Sequence, residues 1–227
     1  SYSGAIYDIL FTDTSKGWTA GGAHNGSTGF ASSFVLNSID GGVVWNVQLD
    51  TFRVGPMYAL HFNDSLNGWA VGGDRGVRDP PSSTIFQTSD GGNNWNRQFP
   101  PTNRVLADVV FTDSNYGYVV GGNTSWGWIP DTTIMLQTAD AGNNWSYMPC
   151  FLNEVLAAIS FPDEEKGWAV GRNGAILHNN LIIQDGCPTD LILKSQWQVD
   201  QFPVIYPDCS RLEGDVLIDS DHITHLD

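Results

Sequence analysis

Short apolar runs and clusters of turn-forming residues alternate along the first 180 residues. Leu106 to Phe111 (LADVVF) is a six-residue apolar run with β-branched positions, the pattern of a buried strand. Thr112-Asp113-Ser114-Asn115 follows, and short polar side chains of this kind bond back to their own backbone and turn the chain. Gly117 to Val120 (GYVV) predicts a second strand, closed by Gly121-Gly122. A longer polar loop leads to a third strand over Thr133–Gln137 (TIMLQ), and a fourth starts at Trp145.

The same pattern recurs. Gly-Trp stands at Gly17-Trp18, Gly68-Trp69 and Gly167-Trp168, with Gly117-Tyr118 in the third place, so the steps are 51, 49 and 50 residues. A second marker keeps the beat: SIDGGVVW ends at Trp45, TSDGGNNW at Trp95 and TADAGNNW at Trp145. Two independent markers with one period identify a repeat architecture. Four antiparallel strands in about 50 residues form the unit of a β-propeller blade. The expected fold is all-β: four recognisable four-stranded Asp-box blades over residues 1–183. The fourth copy keeps Phe161-Pro162-Asp163 and Gly167-Trp168 in register, but no Asp box follows Ile176-Leu177-His178. Blades bury their faces only against neighbours, so the array is expected to belong to a larger ring. Upstream blades or a partner chain would complete it.

The Asp box has a structural use. The carboxylates of Asp40, Asp90 and Asp140 are expected to accept backbone N–H groups of their own turns, while Trp45, Trp95 and Trp145 pack between sheets. These six are read as fold residues, not as catalytic or calcium-binding ones.

The order Phe-x-Asp-x-x-x-Gly-Trp-x-x-Gly-Gly, then Thr-x-Asp-Gly-Gly-x-x-Trp, resembles the repeat of the photosystem II assembly and stability factor family. That family is a branch of the BNR/Asp-box propellers, which include sialidases, sortilin-type receptors and xyloglucan hydrolases. The resemblance spans residues 1 to about 178. It implies a non-enzymatic docking surface, rich in Arg in the photosynthetic members. With seven Arg and a net charge of −15, this chain does not carry over the photosynthetic role itself. Sialidase chemistry would need three convergent Arg and a Tyr–Glu pair, whereas the Glu here are limited to Glu154, Glu164, Glu165 and Glu213.

Charge and cysteine content narrow the function classes. The negative balance disfavours nucleic acid, whose phosphates it would repel. No run of 18 apolar residues is present, so no membrane insertion by a helix is expected. Cys150, Cys187 and Cys209 fit no metal spacing, and neither do the histidines; no cofactor or metal is expected. Cys187 and Cys209 are the candidate disulfide.

Beyond about Ile183 the composition changes. Residues 184–227 carry Cys187, then Gln-x-x-Val-Asp-x-Phe ending at Phe202, Tyr206-Pro207-Asp208-Cys209 and Gly214-Asp215-Val216. This order resembles the opening of a receptor-L or leucine-rich β-solenoid domain in exported multidomain bacterial proteins. The resemblance implies a second, truncated domain and a secreted or cell-surface location.

Candidate binding residues gather in the loops between second and third strands, roughly Gly22 to Ser32, Gly73 to Ser83 and Gly122 to Thr132. His24 and Asn25 fall in the first; Arg75 and Arg78 in the second; Trp126, Trp128 and Asp131 in the third; Arg172 stands in the minimal fourth loop. Two Trp in one loop would stack on a sugar ring or anchor a protein. The leading expectation is a non-catalytic binding or scaffold module whose partner is a protein or a surface polysaccharide, with the oligomeric state open. Its rival is a glycoside hydrolase using paired Asp carboxylates in the propeller channel, which requires two carboxylates facing one bond.

Overall fold

The computed structural model describes residues 4–25, 30–52, 54–74, 82–123, 132–148, 150, 154–163, 166–180, 191–193 and 216–218. The first blade comprises Ala5–Phe11 (β1), Gly17–Asn25 (β2), Phe30–Ser38 (β3) and Asn46–Phe52 (β4). Met57–Phe62 (β5), Gly68–Asp74 (β6), Ser82–Thr88 (β7) and Asn96–Gln98 (β8) form the second. The third holds Leu106–Phe111 (β9), Gly117–Asn123 (β10), Thr132–Thr138 (β11) and Ser146–Tyr147 (β12). Leu156–Ser160 (β13), Lys166–Gly171 (β14) and Ile176–Asn180 (β15) make the fourth. Within each sheet the strands lie in sequence order and pair antiparallel. The repeat pattern predicts four strands in the last blade too; among the described residues it has three, and no Asp box follows β15 in the sequence.

First strands of successive blades pack side by side, β1 against β5, β5 against β9 and β9 against β13, as the innermost strands of a propeller do. The fold is therefore a run of propeller blades. Its three apolar cores lie between blades rather than inside them. Trp18, Ala20 and Val35 meet Met57, Leu60 and Phe62 at the first seam. Trp69, Val71 and Ile85 meet Leu106, Val109 and Phe111 at the second, and Val120 and Met135 meet Leu156 and Ile159 at the third. A sheet that is apolar on both faces can only be stable between two others, which explains why its strands read as continuous apolar runs.

The Gly-Trp aromatics stitch the seams. The Trp18 ring stacks on Phe62 of the next blade at 3.9 Å, Trp69 on Phe111 at 3.7 Å and Tyr118 on Phe161 at 4.7 Å. From the other side the Asp-box Trp meets the phenylalanine of its own blade edge-on: Trp45 with Phe11, Trp95 with Phe62 and Trp145 with Phe111, at 5.9–6.0 Å. Phe62 and Phe111 are thus each held between two indoles.

Leu191–Leu193 (β16) and Val216–Ile218 (β17) pair in parallel, Leu191 opposite Val216. Cys187 and Cys209 lie outside the described residues. Cys150 is half-buried against the third core.

Candidate functional site

Two faces of the blade array have different chemistry, and backbone bonds define them. On one face the Asp-box turn is tied to the turn between first and second strands: Gly41 N–H donates to Ser15, Gly91 to Leu66 and Ala141 to Asn115, all through carbonyl oxygens. Loops between second and third strands emerge on the opposite face, beside the blade-to-blade connections. There Gly73 N–H donates to Pro56 O, Gly122 to Val105 O and Arg172 to Val155 O.

The Asp-box face is occupied with its own backbone. Asp90 Oδ1 accepts Asn94 N–H at 2.8 Å and the Thr88 hydroxyl at 2.9 Å, while Oδ2 accepts the Asn94 amide at 2.7 Å. Asp140 repeats the pattern with Asn144 and Thr138, and Asp40 does so with Val44 N–H and Ser38. The Asn94 and Asn144 side chains foremost hold Asp90 and Asp140 below the usual carboxylate range, as the Val44 N–H does for Asp40. In the neighbouring turns Asp13, Asp64 and Asp113 each accept two backbone N–H groups through Oδ1. These carboxylates serve their loops. Among the described residues no group of three His, Cys, Asp or Glu is arranged to hold a metal.

The central strands contain a feature that the repeat markers do not announce. Each first strand has a bulge that skips one residue in the pairing: Tyr7, Tyr58, Ala107 and Ala157. In every blade the backbone N–H two residues beyond the skipped one donates to an inner-strand Asp. Asp8 and Asp108 follow the bulge in the first and third blades, where Ala59 and Ala158 stand in the second and fourth. Asp8 Oδ1 accepts Ile9 N–H at 2.8 Å and its Oδ2 accepts Leu60 N–H of the next blade at 2.7 Å. Asp108 does the same for Val109 and Ile159, both at 2.8 Å. Burial pushes the Asp108 carboxyl up, against the pull of the two amides, and the Asp8 charge adds to the rise. These two are the carboxylates of the inner strands, and both are committed to backbone amides across a seam. A signal for them exists in the sequence, since Asp8 and Asp108 lie nine residues before Gly17 and Gly117, but alternation with Ala hides it in any one repeat.

The insert-bearing face is positioned by strand ends in register. Asn25 lies opposite Phe30, Asp74 opposite Ser82 and Asn123 opposite Thr132. The second and third strands run further than the apolar pattern suggests, so His24 and Asn25, assigned above to a loop, belong to β2, where the β2–β3 ladder holds them. The connection ends are fixed by Ser33 donating to Gly55 O, Ser83 to Thr102 O and Thr133 to Glu154 O. Arg172 is exposed at the start of a 3-10 turn over Arg172–Gly174, where Asn173 Nδ2 donates to Glu154 at 2.8 Å. Arg75, Arg78, Trp126, Trp128 and Asp131 lie outside the described residues. No helix among the described residues is long and apolar enough to cross a membrane.

No family model matches the chain, and no curated protein matches it. Among solved structures it resembles "YCF48 bound to D1 peptide" at 18% identity and a TM-score of 0.50, over 81% of this chain and 55% of that one. YCF48 from Cyanidioschyzon merolae aligns over 77% of this chain and 95% of that one, at 14% identity and a TM-score of 0.26. The chain thus spans about half the length of the YCF48 structure bound to D1 peptide, and what it shares with that structure is the propeller fold.

Proposed function

We propose that this chain is a non-catalytic binding scaffold that engages a protein partner through its insert-bearing face. The observation that carries this reading is the contrast between the faces. On the Asp-box side, carboxylates and turns are consumed by local backbone bonds. The other side sets loops of unequal length on strand ends held in register, an arrangement suited to recognition by loops on a rigid frame. The YCF48 structure with a D1 peptide supports a peptide or protein as the ligand class. A surface polysaccharide is the finer alternative, through stacking on Trp126 and Trp128. A secreted or cell-surface location, and a separate solenoid-like domain over 184–227, complete the reading; the parallel pairing of β16 with β17 supports the latter.

Peptide and glycan arrays probed side by side with the wild-type chain and a Trp126→Ala, Trp128→Ala double variant test it. Peptide binding that the double variant loses supports the proposal. Binding confined to glycans replaces it with a lectin. Release of reducing sugar from a bound glycan, abolished by Asp108→Asn, would establish the hydrolase instead.

A further inference from the structure

Buried polar atoms in folded proteins are paired almost without exception, and an unpaired one calls for a partner. Among the described residues, Trp18 Nε1, Gln48 Oε1, Trp95 Nε1 and Trp69 Nε1 are buried with no hydrogen-bond partner. The first three belong to one place. A Cβ built on Gly92 would have them as its nearest atoms, Gln48 Oε1 at 2.9 Å, Trp18 Nε1 at 3.2 Å and Trp95 Nε1 at 3.4 Å. Both blades of the first seam contribute, Trp18 and Gln48 from one side, Trp95 and Gly92 from the other.

The second seam shows how the same positions are satisfied directly. Trp145 Nε1 donates to Gln98 Oε1 at 3.1 Å, Gln98 Nε2 to Gln87 Oε1 at 2.8 Å, and Gln87 Nε2 to the Ala141 carbonyl at 2.8 Å. This circuit leaves the Asp box of the third blade and returns to it. Trp95, Gln48 and Asn37 hold the equivalent positions at the first seam, and two differences break the circuit there. Asn37 is one methylene shorter than Gln87. Gln48 is skipped in the β3–β4 pairing, with Leu49 opposite Val35 and Val47 opposite Leu36, whereas Gln98 lies squarely opposite Ile85. A bulge of this kind re-aims a side chain. The space differs as well. Off Gly142 a single ring blocks the position, Trp69 Nε1 standing nearest and its Cδ1 and Cε2 at 3.2 and 3.3 Å. Off Gly92 three separate polar groups surround it.

We propose that the first seam holds one internal water beside Gly92, which accepts the Trp18 and Trp95 indole N–H groups and donates to Gln48 Oε1. The donor set selects the ligand. An indole nitrogen only donates and an amide oxygen only accepts, so two N–H groups repel a cation and the carbonyl repels an anion. Water accepts twice and donates once in one place, and about three bonds is the usual complement of a buried water.

Cross-relaxation between water and the indole protons of the 15N-labelled chain tests this. The wild-type chain should give water cross-peaks at the Trp18 and Trp95 Nε1–H groups. Their sign should be opposite in NOE and ROE spectra, which marks a held water and not proton exchange. Trp145, bonded to Gln98, and Trp69, packed against Gly142, should show none. Gln48→Leu removes the acceptor and should abolish both cross-peaks while the other indole signals stay in place. A wild-type chain without a cross-peak at Trp18 or at Trp95 overturns the proposal, and does so whether or not Gln48→Leu folds. Cross-peaks of equal strength at Trp145 and Trp69 also overturn it, since the seams would then be wet throughout. So does a folded Gln48→Leu chain that keeps both.

Discussion

Asp8 Oδ2 accepts the Leu60 amide across the first seam at 2.7 Å, and through its other oxygen the same carboxylate holds Ile9 of its own strand. One side chain thereby satisfies two backbone amides, one on each side of the seam. Asp108 repeats the arrangement one hundred residues later, across the third seam, for Val109 and Ile159. The blades are consequently linked in pairs, first with second and third with fourth. Removing the carboxylate leaves both amides without their acceptor, at about 1–3 kcal/mol for each one buried. Asp108→Ala should lower the free energy of unfolding by that order, seen as a lower urea midpoint with the m-value unchanged. An unchanged midpoint would show that these bonds do not hold the seam.

The carboxylates should titrate in a definite order. Burial raises Asp108, whereas hydrogen bonds from Asn94 and Asn144 lower Asp90 and Asp140 relative to 3.8. A lowered folded value means that the stabilisation is complete above 3.8 and is lost as pH falls through the lower value. A raised one has the opposite sign: ionising Asp108 costs stability as pH climbs from 3.8 through its folded value. Carbon NMR of the carboxyl groups should find Asp108 ionising last of the three. Asp108 ionising before Asp90 would contradict the burial of the inner strand.

Ala141 sits in the left-handed region at φ 58°, where the first two blades have Gly41 at 76° and Gly91 at 73°. A side chain there costs roughly 1–2 kcal/mol, partly offset by the greater freedom that glycine loses on folding. Ala141→Gly is therefore expected to stabilise the chain by up to about 1 kcal/mol, seen as a higher denaturation midpoint. The neighbouring Gly142→Ala should do the reverse, because a Cβ at φ 77° would stand 2.4 Å from Trp69 Nε1. If both changes act in the same direction, the close approach of turn and indole is not as described.

Much of this was legible in the residues, for a physical reason. A strand buried on both faces must be a continuous apolar run, and a tight turn must use Gly, Asn and Asp, so LADVVF, GYVV and the Asp boxes mark their own strands and turns. What a run of letters does not say is which blade a side chain serves. Trp18 reads as a core residue of its own repeat, yet it packs on Phe62 of the next. The seam carboxylates are hidden by their alternation with Ala59 and Ala158, which breaks a period of 50 into one of 100. The candidate site was legible only as composition, since Trp126 and Trp128 stand in a Gly-, Asn-, Ser- and Pro-bearing loop, and such chemistry marks a connection without placing its side chains.

Phe111 and Phe11 occupy one register, and comparing them isolates what a seam contributes. The Phe111 ring has Trp69 stacked upon it at 3.7 Å, Trp145 at its edge at 5.9 Å and His61 at 5.8 Å. Phe11 has Trp45 alone among these partners, at 5.9 Å, and remains 39% exposed. Truncating a buried phenylalanine costs about 3–5 kcal/mol, because the lost contacts and the cavity add together. Exposed positions change stability by about 0.5 kcal/mol or less, with partly covered ones falling between. Phe111→Ala should accordingly destabilise far more than Phe11→Ala when both are measured by urea unfolding at concentrations where the chain is single. The same register, residue and substitution are used in both, so the difference reports the covering blade. Equal losses would mean that the phenylalanines are held by their own sheets, and that the seams are not where the stability of this array resides.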